Sequence, residues 1–247
     1  MTHPPIPSRP AVFLDFDGTL VDIAETPDAI IVSTDLVDLL GRLRGRVDGA
    51  LAIVTGRRIG EVDQHLSPLI LPTAGLHGIE RRGAEGAEIV ELPRSRQVHI
   101  LRDRLERSRL LQNGVSLEDK GSGIAVHYRQ APEAAEAVKA ALREAAGDLE
   151  ELHLIEGKMV VEAKRRDVNK GIAIGEFMEL PPFEGRTPVF LGDDVTDEDG
   201  FAIVTGLGGV AIKVGDGPSN APFRLENSTG VMEWLDRLAR SERSLAS

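Results

Sequence analysis

A chain of 247 residues with a formal net charge of −11 has room for one large domain or two small ones, and its acidity argues against a nucleic-acid binder, whose phosphate contacts need a basic surface. The absence of cysteine removes disulfides, thiol nucleophiles and cysteine-based zinc sites together. No apolar run reaches the roughly eighteen residues that a membrane-spanning helix needs, so no membrane partner is expected.

Residues 1–10 are Pro-rich, lack the apolar core of a signal peptide, and read as a flexible leader. Together with the missing cysteines this is compatible with the cytoplasm. Ala11-Val12-Phe13-Leu14 reads as a buried strand, and Asp15-Phe16-Asp17-Gly18-Thr19 follows at its C-terminal end. A loop from Val21 to Val32 leads to Ser33 or Thr34, either of which can cap a helix carrying an apolar stripe of Leu36, Val37, Leu39, Leu40 and Leu43. Ala50 to Val54 is a second buried strand, ended by Thr55-Gly56-Arg57. A short helix over Ile59 to Leu66 and a third strand over Leu69 to Ala74 follow, and Gly75-Leu76-His77-Gly78 turns the chain. Strand and helix in alternation predict a doubly wound parallel sheet, that is, a Rossmann-like α/β core.

The pattern then changes. A strand arm at Glu88 to Leu92 and a charged helix over Ser95 to Leu111 precede a hairpin, Val115 to Lys120 and Ile124 to Arg129, around Gly121-Ser122-Gly123. A helix over Pro132 to Ala146 precedes a second hairpin, Leu152 to Glu156 and Met159 to Ala163, around Gly157-Lys158. This is the grammar of a small antiparallel sheet with two helices on one face, an α+β insertion over 84–165 within a core formed by 11–83 and 166–247. The α/β pattern returns with a helix from Lys170 to Glu179, a strand at Pro188 to Leu191, and the acidic run Gly192-Asp193-Asp194-Val195-Thr196-Asp197-Glu198-Asp199. A helix to Thr205, a strand over Gly209 to Val214, a Gly/Pro/Ser/Asn loop and a helix over Val231 to Arg240 complete the chain. Three basic clusters, Arg42/Arg44/Arg46, Arg81/Arg82 and Lys164/Arg165/Arg166, read as solvated faces.

Four signals stand at strand or helix ends: Asp15-x-Asp17, Thr55-Gly56-Arg57, Lys170, and the loop from Asp193. On a strand, residues two apart point the same way, so Asp15 and Asp17 put two carboxylates on one side, where open α/β sheets bind ligands. A carboxylate can attack phosphorus, and a second can protonate the leaving oxygen and then activate water. A hard cation such as Mg²⁺ bridges carboxylates to phosphate oxygens, while Lys and Thr hold the remaining charge.

In this order the motifs resemble those of the haloacid-dehalogenase-like phosphohydrolases. The resemblance implies Asp15 as nucleophile, Asp17 as acid/base, Thr55 as phosphoryl contact and Lys170 as the neutralising cation. It further implies Mg²⁺ held by Asp15, Asp193 and the carbonyl of Asp17, with Asp194 and Asp197 as nearby ligands or supports for them. Phe13 to Leu20, Val54 to Arg57, Gly75 to Gly78, His127-Tyr128-Arg129, Gly157-Lys158 with Glu162, and Gly192 to Asp199 together look like the trehalose-6-phosphate phosphatase family, with the α+β insertion matching that family's cap. Arg165 departs from it, standing where many members carry a proline. By this resemblance the substrate is a small sugar phosphate, trehalose 6-phosphate, and Thr55, Gly56, Arg57, His77, Arg129, Lys158 and Glu162 are the candidate substrate contacts. The same chemistry on sucrose phosphate or a mannosyl-glycerate phosphate, and a non-catalytic sugar-phosphate sensor, are the alternatives. A monomer is expected.

Overall fold

The structure, a computed structural model, describes residues 3–23, 30–121 and 123–241. The loop around Pro27 and the tail after 241 lie outside the described residues, as does Ser122 of the first hairpin turn. The chain divides into two compact units, one formed by Met1–Glu91 with Asn169–Ser247 and one by Leu92–Val168. Among the described residues no helix is long and apolar enough to cross a membrane.

The first unit opens with β1 (Pro10–Leu14), buried at every residue. Helix α1 (Thr34–Arg46) follows, with the Ser33 hydroxyl accepting from the Leu36 N–H. Then come β2 (Leu51–Val54), α2 (Ile59–Leu66) and β3 (Thr73–Gly75). The strand expected from Leu69 is therefore confined to its last residues. Two short strands follow that the sequence reading lacks or gives only as an arm: β4 (Glu80–Arg82) turns back antiparallel on β3, and β5 (Val90–Glu91) pairs antiparallel with β4. Because β5 pairs with β4, residues 84–91 stay with this unit, and the second unit begins at 92 rather than 84.

In the second unit, α3 (Arg96–Arg107) is capped by the Ser95 hydroxyl. Strands β6 (Ser116–Asp119) and β7 (Gly123–His127) pair antiparallel. A single 3-10 turn at Pro132–Ala134 leads into α4 (Ala135–Ala146), and β8 (Leu152–Gly157) and β9 (Val160–Arg165) form the second hairpin. The sheet order is β6-β7-β9-β8, antiparallel throughout. Ile124, Val126, Val161 and Ala163 share a core with Val98, Leu101 and Leu105 of α3 and with Val138 and Leu142 of α4. By the two-residue repeat of a strand, His127, Glu162 and Lys164 point to the other face.

The chain returns to the first unit with α5 (Lys170–Met178), β10 (Thr187–Gly192), α6 (Glu198–Gly206), β11 (Val210–Val214), β12 (Phe223–Leu225) and α7 (Ser228–Arg240). The large sheet runs β12-β11-β10-β1-β2-β3-β4-β5, parallel from β12 to β3. Phe13 and Phe190 are register partners and so share a face. There Phe13 meets Phe177 of α5 and stacks on Phe183, with centroids 5.3 Å apart, and Phe190 meets Phe201 of α6. β1 lies between β2 and β10, where the strand order reverses, and loops leaving these strands diverge at their C-terminal ends.

Two expectations need correction. The start of the chain is no frayed leader from residue 3 onward: Pro4 is buried, and its carbonyl accepts a 3.0 Å hydrogen bond from the indole of Trp234, itself fully buried. An aromatic ring with one polar edge needs such a partner inside a core. Nor are two of the basic clusters simply solvated. Arg82 is buried and forks onto both carboxylate oxygens of Asp63 at 2.7 and 2.6 Å, while Arg81 pairs with Glu176. Arg165 is buried as well and forks onto Asp167 at 2.9 and 2.7 Å, with a third bond to the Pro93 carbonyl. A guanidinium inside a fold is held by such bidentate pairing. Trp234→Phe should leave the Pro4 carbonyl unpaired and lower stability by about 1–3 kcal/mol, read by urea denaturation.

Candidate active site

Three carboxylates and one ammonium meet where β1 and β10 end. Asp15 follows β1 directly, Asp193 follows β10, and Asp197 lies one turn on. A carboxylate oxygen from each lies within 4.8 Å of the others. Lys170, 3% exposed, donates from Nζ to Oδ1 of Asp15 and to Oδ1 of Asp197, both at 2.6 Å. It stands there because Asn169 caps α5, accepting from the Ile172 N–H at 2.8 Å and fixing the helix start.

Glycines make the approach possible. Gly18 has φ of 77° in the turn after β1, and a Cβ on it would fall 2.1 Å from Asp193 Oδ2. Gly192 likewise leaves room for the Asp197 carboxyl, 2.4 Å from where its Cβ would stand. Neither position accepts a side chain without displacing a carboxylate.

Burial dominates the electrostatics. It pushes Asp15 up to about 6 against the opposing pull of Lys170, with Asp193 adding to the rise. Burial and then the charge of Asp15 push Asp197 up to about 6 as well. Asp193 is raised by burial and by Asp197. Burial alone would depress Lys170, yet Asp15 and Asp197 hold it above its ordinary value, so it stays charged. Fully ionised, three carboxylates around one ammonium leave two negative charges uncompensated, the charge of one divalent cation. The donors are all carboxylate oxygens, which suit Mg²⁺.

The other expected residues sort themselves around this cluster. Asp17 is half-buried, and Arg57 grips its carboxylate with two bonds of 2.7 Å. Thr55 is buried at the end of β2, its Oγ1 accepting from the Arg57 N–H at 3.2 Å. Gly56 is exposed, and the ring of His77 lies 3.0 Å from where its Cβ would be. His77 sits at φ 58° in a turn whose amides are stitched to this loop: the Leu76 N–H donates to the Arg57 carbonyl and the His77 N–H to the Thr55 carbonyl, both at 2.9 Å. Asp194 takes another part. It is exposed, its Oδ1 accepts from the Val195 N–H, and its own N–H donates to Asp197 Oδ2, so it caps the turn that carries Asp197.

Arg129, Lys158 and Glu162 belong to the second unit. Arg129 and Lys158 are exposed. Glu162 accepts from Lys120 and Lys164, both at 2.7 Å, and these ammoniums hold its carboxyl below its ordinary value although partial burial works the other way. His127 pairs with Glu118 at 2.8 Å.

Sequence reasoning missed two supports. Glu80 is buried on β4, accepting from Arg58 Nη1 and from the Ile59 N–H, both at 2.8 Å, and so caps α2, whose own N-cap residue offers no side-chain bond. Lys213 is buried on β11 and donates to the Asp193 carbonyl. A charged residue inside an otherwise apolar strand was the available signal for Lys213. For Glu80, inside a charged run, there was none.

The trehalose-phosphatase family model matches residues 13–229. Over 239 residues the chain is 41% identical to the trehalose-6-phosphate phosphatase of Escherichia coli strain K12, covering 95% of this chain and 88% of that protein. It is 44% identical over 209 residues to a probable trehalose-phosphate phosphatase of Sinorhizobium fredii, covering 83% of this chain and 77% of the other. A solved trehalose-6-phosphate phosphatase structure from Aspergillus fumigatus matches with a TM-score of 0.75 at 24% identity, over 95% of this chain and 94% of that one, which is a likeness of fold.

Lys170→Met should strand Asp15 and Asp197 without their cation. The expected loss in thermal or urea unfolding is roughly 3–5 kcal/mol, the range for breaking a buried pair from one side, and a loss below 1 kcal/mol would contradict the assigned electrostatics.

Proposed function

This chain belongs to the trehalose-phosphatase family and is a phosphoric monoester hydrolase, and on that premise we propose that it hydrolyses trehalose 6-phosphate to trehalose and phosphate through an aspartyl-phosphate intermediate, with Mg²⁺. The observation that carries the reading is the Lys170 ammonium between Asp15 and Asp197, with Asp193 alongside, at the C-terminal ends of β1 and β10.

Asp15, Asp193 and Asp197, with the carbonyl of Asp17, would hold the cation, and Asp194 would support Asp197 from the turn. Bound there, Mg²⁺ would draw negative charge from the phosphoryl oxygens and offset the two charges that Lys170 leaves unbalanced. Asp15 attacks phosphorus, forming a new P–O bond as the bond to the sugar oxygen breaks. Lys170 holds Asp15 with one proton donor and so orients the attacking oxygen. Thr55 and the loop amides after it receive phosphoryl oxygens. Asp17 gives its proton to the leaving sugar oxygen. The resulting carboxylate then takes a proton from water, which attacks the aspartyl-phosphate, releases phosphate and regenerates Asp15. Arg57 has to loosen one of its two bonds for Asp17 to hold that proton. Gly56, Arg57 and His77 flank this path. Recognition of the sugar hydroxyls falls to Arg129, Lys158 and Glu162, polar groups suited to a disaccharide that offers little apolar surface.

Phosphate release from a panel of sugar phosphates, with Mg²⁺ and with EDTA, tests the whole reading. Preference for trehalose 6-phosphate, lost in EDTA and in Asp15→Asn, is expected. Preference for another sugar phosphate would overturn the substrate while leaving the chemistry. Mg²⁺ affinity should also depend on pH in a defined direction. Asp15 and Asp197, each raised to about 6, bind protons below that pH, and the cation must displace them. Calorimetric titrations at descending pH should show affinity falling below pH 6, by up to about tenfold per unit for each proton displaced.

A further inference from the structure

Strand β11 is buried at every residue, and its fourth residue is Lys213, 5% exposed. An ammonium inside an apolar parallel strand breaks the pattern of the strand, and such breaks concentrate at functional sites. The hydrolysis as derived makes no use of it. Lys213 is the register partner of Gly192 on β10, so it lies one strand over from the turn that begins at Asp193. Its Nζ donates to two backbone carbonyls, those of Asp193 and Val214, both at 2.5 Å.

Asp15 and Asp197 are each held through a carboxylate oxygen by Lys170. Asp193 is anchored differently. Its main chain is tied to β11 by Lys213, and its carboxyl is seated against Gly18, where any Cβ would strike it. Two lysines on different elements thus fix the three carboxylates, one by gripping side chains and one by gripping the backbone.

We propose that Lys213 is a positioning residue for divalent-cation binding: by tying the Asp193 carbonyl to β11 it keeps the Asp193 carboxylate converged on Asp15 and Asp197. This rests on the reading of that cluster as a Mg²⁺ site. A ligand whose backbone is untethered must be ordered by the cation itself, so loss of the tether weakens binding without altering the groups that handle phosphate.

The test is titration of Mg²⁺ into the metal-free full chain by calorimetry, on wild type and Lys213→Met, with unfolding curves to establish that each is folded. The Mg²⁺ dependence of phosphate release from p-nitrophenyl phosphate gives a second measure. The expected result is a Kd weakened by about 10–100-fold, with half-saturating Mg²⁺ rising by the same factor and KM at saturating Mg²⁺ unchanged. Should Lys213→Met not fold, Lys213→Gln, uncharged and one bond too short to reach the carbonyls, is expected to show the same loss. A folded variant with wild-type Mg²⁺ affinity overturns the inference alone. A wild-type chain that binds no Mg²⁺ overturns the cation reading and this inference with it.

Discussion

Carboxylates taken out of water side by side repel one another and lose hydration, so a fold that buries them must set a cation among them. Lys170 meets that constraint here. Its ammonium, buried at the first turn of α5, bridges Asp15 and Asp197, and the geometry around it follows from the need to bring those groups to one point. β1 and β10 must be neighbours, α5 must begin at a fixed residue, and the turns after both strands must be tight enough for carboxyls to lie against glycine. The cation's partners remain raised in proton affinity, because the cost of burial outweighs the pull of Lys170 on both of them.

How much of this could be read from the residues depended on whether the determining contact was local. β1, β2 and β10 announce themselves as apolar runs, and α2 was placed at its observed limits, because hydrophobic period and turn chemistry act within a few positions. Asp15, Thr55, Lys170 and Asp193 were legible through their positions at the ends of such elements. What failed to show were the long-range pairings. Glu80-Arg81-Arg82 looks like a solvated charged run, and only the fold reveals that Glu80 caps α2 and that Arg82 has a partner in Asp63. The first residues look frayed until Trp234, far along the chain, supplies a donor for Pro4. Asp194 and Asp197 are equivalent in sequence, and only the turn separates a capping carboxylate from one in the cluster.

The second unit shows the same division. Its hairpins and helices follow local rules, and its core of Val, Leu, Ile and Ala is built from the alternation visible in the strands. The polar face of its sheet is less predictable. Glu162 is clasped by Lys120 from the β6–β7 turn as well as by its near neighbour Lys164, so its carboxylate is held in one orientation by two cations. A fixed, charged acceptor of this kind is better suited to a hydroxyl than a free side chain, because less conformational freedom is lost on contact.

The interruption of the first unit by the second has a consequence for the order of events in synthesis. Residues 92–168 are contiguous and enclose their own core, so they contain what they need to fold as soon as they have been made. β1 has no such independence. One of its two parallel neighbours, β10, is joined to it through pairs such as Phe13 with Phe190, and everything between them must be made first. Contacts this distant in sequence form late and slowly. The strand that leads into Asp15 is thus among the earliest pieces to appear. Lys170, Asp193 and Asp197 emerge only after the intervening unit, so the nascent chain acquires a structured appendage before it acquires a catalyst.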